Sequence, residues 1–155
     1  MKKPGSGLIK LFLAGGILII FSCTPEACFE ETNSFLKASF YNNETGKFQA
    51  PDSVTLFGEG RDTIMIYNKE RNLQPANFPL NAETESCTFV VRINGVSDTI
   101  SFFYSSYPAF ISKECGYTFN HILESHSVTN NIIDNVIIRN RNITTSNEEN
   151  IRIFY

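Results

Sequence analysis

Residues 86–105 read SCTFVVRINGVSDTISFFYS, and this stretch decides the fold. Asn94-Gly95 is the preferred pair for a two-residue type I′ turn, because both residues tolerate positive φ. Apolar residues alternate with polar ones on either side, as a strand with one buried face requires. A two-residue turn places Phe89 opposite Ile100 and Cys87 opposite Phe102, with Cys87, Phe89, Val91 and Ile93 on the apolar face. One residue resists this register. Asp98 falls opposite Val91 on the inward side, and a longer loop through Ser97 would relieve the conflict only by shifting the pairing.

The same grammar extends in both directions. Leu36, Ala38 and Phe40 alternate with Lys37 and Ser39, and Asn42-Asn43-Glu44-Thr45-Gly46 then breaks the pattern with turn residues. Strands are expected at Val54–Phe57, Thr63–Tyr67, Tyr117–Leu123, Asn135–Arg139 and Asn150–Tyr155, while residues 68–80, with Pro75 and Pro79, read as a surface loop in which Phe78 docks on the core. The apolar strand at 151–155 would be aggregation-prone at an edge, so it is expected to be paired internally. No helical periodicity occurs after residue 22. The pattern predicts an all-β domain: an antiparallel β-sandwich of Ig-like or transthyretin-like architecture with seven to nine strands, the alternative being a small β-barrel.

The N-terminus carries a different signal. Lys2 and Lys3 precede the uncharged run LFLAGGILIIF at residues 11–21, which ends at Ser22-Cys23. That run is too short to cross a bilayer core needing about 20 residues, and it fits the apolar centre of a secretory signal. Ile20-Phe21-Ser22-Cys23 resembles a bacterial lipobox, with an aliphatic residue three positions before the cysteine and a small residue directly before it; Phe21 is bulkier than usual there. The alternative is an ordinary signal peptide cut nearby, with Cys23 a structural cysteine. The expected organisation is a lipoprotein signal at 1–22, a lipid-anchored tether at 23–33 beginning at Cys23, and the sandwich at 34–155. Each buried methylene of such an anchor contributes about 0.8 kcal/mol.

With Cys23 assigned to lipid, Cys28, Cys87 and Cys115 remain, in an exported chain where a disulfide persists. Cys87 lies on an apolar strand face, whereas Cys28 and Cys115 sit in polar, turn-like sequence, so the expected bridge is Cys28–Cys115. The alternative leaves all three as thiols. The 14 Phe and 6 Tyr supply a core without Trp, and a net charge of −3 argues against a nucleic-acid surface.

Catalytic chemistry finds little support. His121 and His126 are separated by an odd number, so within one regular strand they face opposite sides and share no metal. No Gly-x-Ser-x-Gly elbow fixes a catalytic triad. Glu30-Glu31 and Glu148-Glu149 are adjacent pairs that diverge in space, and Gly58-Glu59-Gly60 has no following helix to cradle a phosphate. The chain is therefore expected to be no enzyme and to need no cofactor and no metal. Three of its four Asp open an Asp-Ser/Thr-aliphatic triplet, at Ser53, Thr63 and Thr99. That triplet resembles the acceptor motif of the Bacteroidetes O-glycosylation system, although turn and strand preferences also generate it. Tyr41, Tyr67, Tyr104 and Tyr107 are candidate aromatic platforms for a glycan or small ligand, or equally core and rim residues.

The run FFYSSYPAFISKECGY at residues 102–117, with Cys28-Phe29-Glu30-Glu31, Gly58-Glu59-Gly60 and Phe78-Pro79-Leu80, resembles an uncharacterised family of Bacteroidetes lipoproteins, domain-of-unknown-function family 6452. The resemblance spans nearly the whole chain after the signal. It implies a cysteine pair at Cys28 and Cys115 and places Cys87 outside the pattern. It brings no activity. It further implies an outer-membrane address, facing the periplasm or the cell surface, with a membrane contact through the lipid anchor and an outer-membrane protein as a candidate partner.

Overall fold

The structure is a computed structural model that describes residues 28–155. The expected signal segment at 1–22 and the expected lipidation residue Cys23 lie outside the described residues. Ten strands form two sheets, and no helix occurs among the described residues. In chain order they are β1 (Phe35–Tyr41), β2 (Val54–Gly58), β3 (Met65–Glu70), β4 (Ala76–Pro79), β5 (Ser86–Ile93), β6 (Val96–Ser112), β7 (Gly116–Val128), β8 (Asn135–Ile138), β9 (Asn142–Ile143) and β10 (Ile151–Phe154). One sheet has the order β4-β1-β10-β8 and the other β3-β2-β5-β6-β7-β9. The all-β expectation holds, with a sandwich-like pair of sheets.

The β5–β6 hairpin has the register the sequence predicts. Ile93 faces Val96 around the Asn94-Gly95 turn, both turn residues have positive φ, and Phe89 pairs with Ile100 and Cys87 with Phe102. Asp98 does stand opposite Val91, and it is buried without a register shift. Its Oδ1 accepts from Thr129 Oγ1 (2.6 Å) and Asn131 N (2.9 Å), and its Oδ2 from Ile132 N and Ile133 N (2.8 Å each). A buried carboxylate is tolerated when its lone pairs are filled in this way. The apparent misfit is the post on which the β7–β8 connection hangs.

Four expectations need correction. The described residues form ten strands, not seven to nine, because β4 and the two-residue β9 escape the local pattern. Residues 68–80 are not one loop: Asn68–Glu70 finish β3, and β4 pairs antiparallel with β1, Phe78 against Leu36. Proline at 79 obscured β4, yet β4 is an edge strand, where a missing N–H is harmless. The strand expected at 63–67 starts at Met65, since Arg61 N and Ile64 N close turns onto Gly58 O and Arg61 O. The sheets are also not wholly antiparallel, because β1 and β10 run parallel, Ala38 beside Ile151 and Phe40 beside Ile153.

β10 lies between β1 and β8, so the apolar 151–154 segment is paired on both edges as expected. The core gathers Leu36, Phe40, Phe78, Phe102, Ile100 and Ile153 with their neighbours, and Phe78 meets Phe89 and Phe102 edge to face. β1 is covered on both sides. Lys37 and Ser39, the polar positions of the alternation, are also buried, and residues 146–150 pass beside them; Lys37 Nζ donates to Ser146 O at 2.8 Å, and Lys37 N to Asn150 Oδ1 at 2.9 Å. Burial lowers the Lys37 pKa, with Glu31 opposing that shift.

Candidate functional site

Two places on the fold combine accessible surface with specific chemistry. They meet along β7. The first is a cleft of about 270 Å³ between residues 32–35 of the N-terminal segment, the 79–82 turn after β4, and Thr118–His121 of β7. His121 is almost wholly buried against it, its ring edge-on to Tyr104 at 5.3 Å. Its Nδ1 is 2.8 Å from Ser106 Oγ on the neighbouring strand. Burial pushes the imidazole below its ordinary pKa, favouring the neutral form. A hydrolytic triad needs Nδ1 for an orienting carboxylate and Nε2 for the nucleophile. Here a hydroxyl occupies Nδ1, so the pair fixes the ring and is not set up as a charge-stabilised base.

The second place is the tip of the β6–β7 hairpin. β6 runs 17 residues and β7 runs 13, so the hairpin outgrows the sheet that packs against it. Gly116, at φ 74°, makes the return, and Phe110 pairs with Tyr117 at a ring separation of 5.2 Å. Cys115 sits in this turn and is disulfide-bonded to Cys28, with Cα atoms 4.8 Å apart. The N-terminal segment is thus covalently held on the hairpin. Thr118 Oγ1 donates to Thr32 O at 2.6 Å and Ser34 Oγ to Asn120 Oδ1 at 2.8 Å, continuing the attachment toward the cleft.

A family of unknown function (DUF6452) matches residues 53–155. The chain belongs to this family. No curated protein and no solved structure matches it. The DUF6452 match begins just before β2, so it includes Cys115 and the whole β6–β7 hairpin but not Cys28 or β1. It attaches no reaction or ligand to either place.

The other residues singled out by sequence in this DUF6452 chain are dispersed. Cys87 is a half-buried free thiol, 2.9 Å from the Tyr104 hydroxyl. Tyr104 is buried, and burial together with that thiol pushes its phenol up to about 12. Its hydroxyl donates to Asn81 O at 2.9 Å and accepts from Asn81 N at 3.0 Å, which fixes the 81–84 turn. Tyr67 accepts from Asn77 N, and Tyr41 packs on Phe154 under the Arg152 guanidinium, 4.8 Å from its ring centre. All four tyrosines lie on strands, not loops, and only Tyr107 is substantially exposed. They form no shared platform.

The histidines correct a parity argument. Tyr104 pairs with Leu123 but Phe103 with Ser125, so Glu124 is an extra residue in β7. That bulge flips the alternation, and His126, opposite inward-facing Phe102, returns to the same face as His121. Burial lowers the pKa of His126 as well, and its Nδ1 is buried without a hydrogen-bond partner. Among the described residues no group of three His, Cys, Asp or Glu is placed to hold a metal.

Glu149 pairs with Arg152 at 2.6 Å, while Glu148 accepts from Asn140, so these adjacent carboxylates do diverge. Of the three Asp-Ser/Thr-aliphatic triplets, only Asp62-Thr63-Ile64 is exposed throughout; Ser53 and Thr99 are half-buried, and Asp98 is locked inside. Asn150 is a structural centre that the sequence pattern does not flag. Its amide reaches Asn140 O, Asn142 O and Lys37 N, and a lone Asn in a polar stretch has no periodicity to betray it.

Proposed function

We propose that this chain is a non-catalytic lipoprotein of the bacterial outer membrane, held by acyl chains on Cys23 and serving as a structural or docking module of an envelope assembly. The observation that carries this reading is the Cys28–Cys115 bridge. A bridge of this kind suits an oxidising compartment, and it ties the chain five residues after Cys23 directly to the folded domain. The apolar segment at 11–21 and the lipobox-like 20–23 supply the export and anchoring chemistry.

A metabolically incorporated palmitate analogue tests it. The native protein takes the label and sediments with membranes, whereas the Cys23→Ala protein is unlabelled and leaves the membrane fraction. Sedimentation of the unlabelled variant would overturn the anchor. Crosslinking in native cells then identifies the partner, expected to be an outer-membrane protein.

A module for a glycan or small ligand is the second reading, favoured by the cleft beside His121. At about 270 Å³ the cleft lies just under the range of drug-sized pockets, roughly 300–1,000 Å³, and would take one sugar ring or less. Native mass spectrometry of protein purified from its host distinguishes the two, since a retained small molecule supports the second.

A further inference from the structure

We propose that the distal end of the β6–β7 hairpin is a lipid-contacting arm that seats in the interfacial zone of the bilayer to which the chain is anchored. This inference rests on the lipoprotein reading above and adds to it an orientation and a contact surface.

The inward face of β6 runs through Asp98, Ile100, Phe102 and Tyr104, all buried under the opposite sheet. The same alternation continues through Pro108 and Phe110, and across the ladder these pair with Phe119 and Tyr117. There the covering sheet has ended. Phe110 is 58% exposed, Tyr117 74% and Phe119 50%, so the apolar face of the hairpin extends past the core and is largely open, with only Phe119 reaching the cleft beside residues 32–35. Phe29, next to the disulfide, is 93% exposed. Aromatic side chains on an unpartnered sheet face are unfavourable in water, and an aromatic cluster suits the bilayer interface, where a ring meets both acyl chain and headgroup.

The occupant follows from chain length. The described chain begins at Cys28, which is bonded to Cys115 at the hairpin tip. Between Cys23 and Cys28 the backbone spans at most about 18 Å, at roughly 3.6 Å per residue. An acyl chain on Cys23 therefore brings this tip, and not another part of the domain, to the membrane surface. Val96, at the opposite end of β6, lies roughly 45 Å away along the strand at about 3.3 Å per residue. The bridge makes the arm the proximal end of the molecule, and the aromatics are on that end.

The chain contains no Trp, so a single introduced Trp reports its own surroundings. Full-length acylated Phe110→Trp, Tyr117→Trp and Val96→Trp proteins, each purified from membranes, are reconstituted into phosphatidylethanolamine–phosphatidylglycerol vesicles with and without chain-brominated lipid. All three sites are exposed, so folding is retained and is checked by circular dichroism. The expected result is roughly twofold or greater quenching by brominated lipid at positions 110 and 117, with a blue-shifted emission, and none at 96. Intact mass shows whether Cys23 is acylated. Acylated, vesicle-bound protein with no quenching at the tip overturns the arm and leaves the anchor standing. Equal quenching at both ends overturns the orientation, and a blue shift that appears without vesicles as protein concentration rises assigns the face to a second copy instead. An unacylated Cys23 overturns the anchor and the arm together.

Discussion

The carboxylate of Asp98 and the backbone N–H of Ile133 meet at 2.8 Å across 35 residues of chain, both buried. Three further donors, from Thr129, Asn131 and Ile132, complete the cradle. One side chain on β6 thus fixes the whole β7–β8 connection. Asp98→Ala leaves these buried donors without an acceptor and is expected to destabilise by about 3 kcal/mol, and Asp98→Asn, which keeps one acceptor oxygen, by about 2 kcal/mol. The urea midpoint at neutral pH measures both, and no change would refute the structural role.

The same carboxylate shapes the acid limb. Burial alone raises its pKa, but the Thr129 hydroxyl and the three backbone N–H groups outweigh burial and hold it below its ordinary value of 3.8. A depressed folded pKa contributes stability above the unfolded value, lost as pH falls through the folded one. Stability is therefore expected to decline below about pH 4, with a shallower slope in Asp98→Asn than in the parent. Denaturation midpoints between pH 5 and pH 2 provide the comparison, and parallel slopes would count against it.

Both histidines are held neutral by burial, which pushes their pKa values below 6.5. The unfolded chain takes up protons first as pH drops, so stability present above about pH 6.5 is lost through the window beneath it. His121→Leu should flatten the dependence between pH 7.5 and 5, while freeing the Ser106 hydroxyl from its 2.8 Å partner. Thermal midpoints across that interval, together with NMR titration of the two imidazoles, measure this.

Reducing the Cys28–Cys115 bridge should destabilise less than its 87-residue separation suggests. Loop closure of that length argues for up to about 4.6 kcal/mol if the folded state stays equally constrained. Residues 28–33, however, are exposed and held by few contacts beyond Thr118 to Thr32, so reduction frees them in the folded state as well. A loss below about 2 kcal/mol is expected for Cys28→Ser with Cys115→Ser. The full loop-entropy loss would show that the tether is part of the core.

If the Asp-Ser/Thr-aliphatic triplets are modified in the native host, Thr63 is the expected position and Thr99 is not. Asp62, Thr63 and Ile64 are exposed in a turn, whereas Asp98 is spent on the cradle and Thr99 lies within β6. Peptide mapping of protein from its host decides the matter. Sugar on Thr99, or an unmodified intact mass, would contradict it.

Legibility differed from one part of the molecule to another. The β5–β6 register could be read because an Asn-Gly turn and period-two alternation act within some twenty residues. The cysteine pairing was accessible for a similar reason, since only Cys87 sits on an apolar strand face. The candidate site was read less well. Tyr104 looks like a platform residue until the 81–84 turn folds onto its hydroxyl. The His121–His126 parity failed because a one-residue bulge at Glu124 has no composition of its own.

Sequence by itself determined an all-β domain, its central hairpin, and the two cysteines that join. Tertiary structure decided that β10 slots parallel beside β1, that the Pro79 segment is an edge strand, and that Asp98 is buried. It also decided that the hairpin's apolar face outruns its cover at Phe110 and Tyr117. The physical reason is range. Alternation and turn chemistry act between near neighbours, whereas the partner of a strand edge, a buried carboxylate or an exposed ring is supplied by chain far away, whose arrival no local pattern encodes.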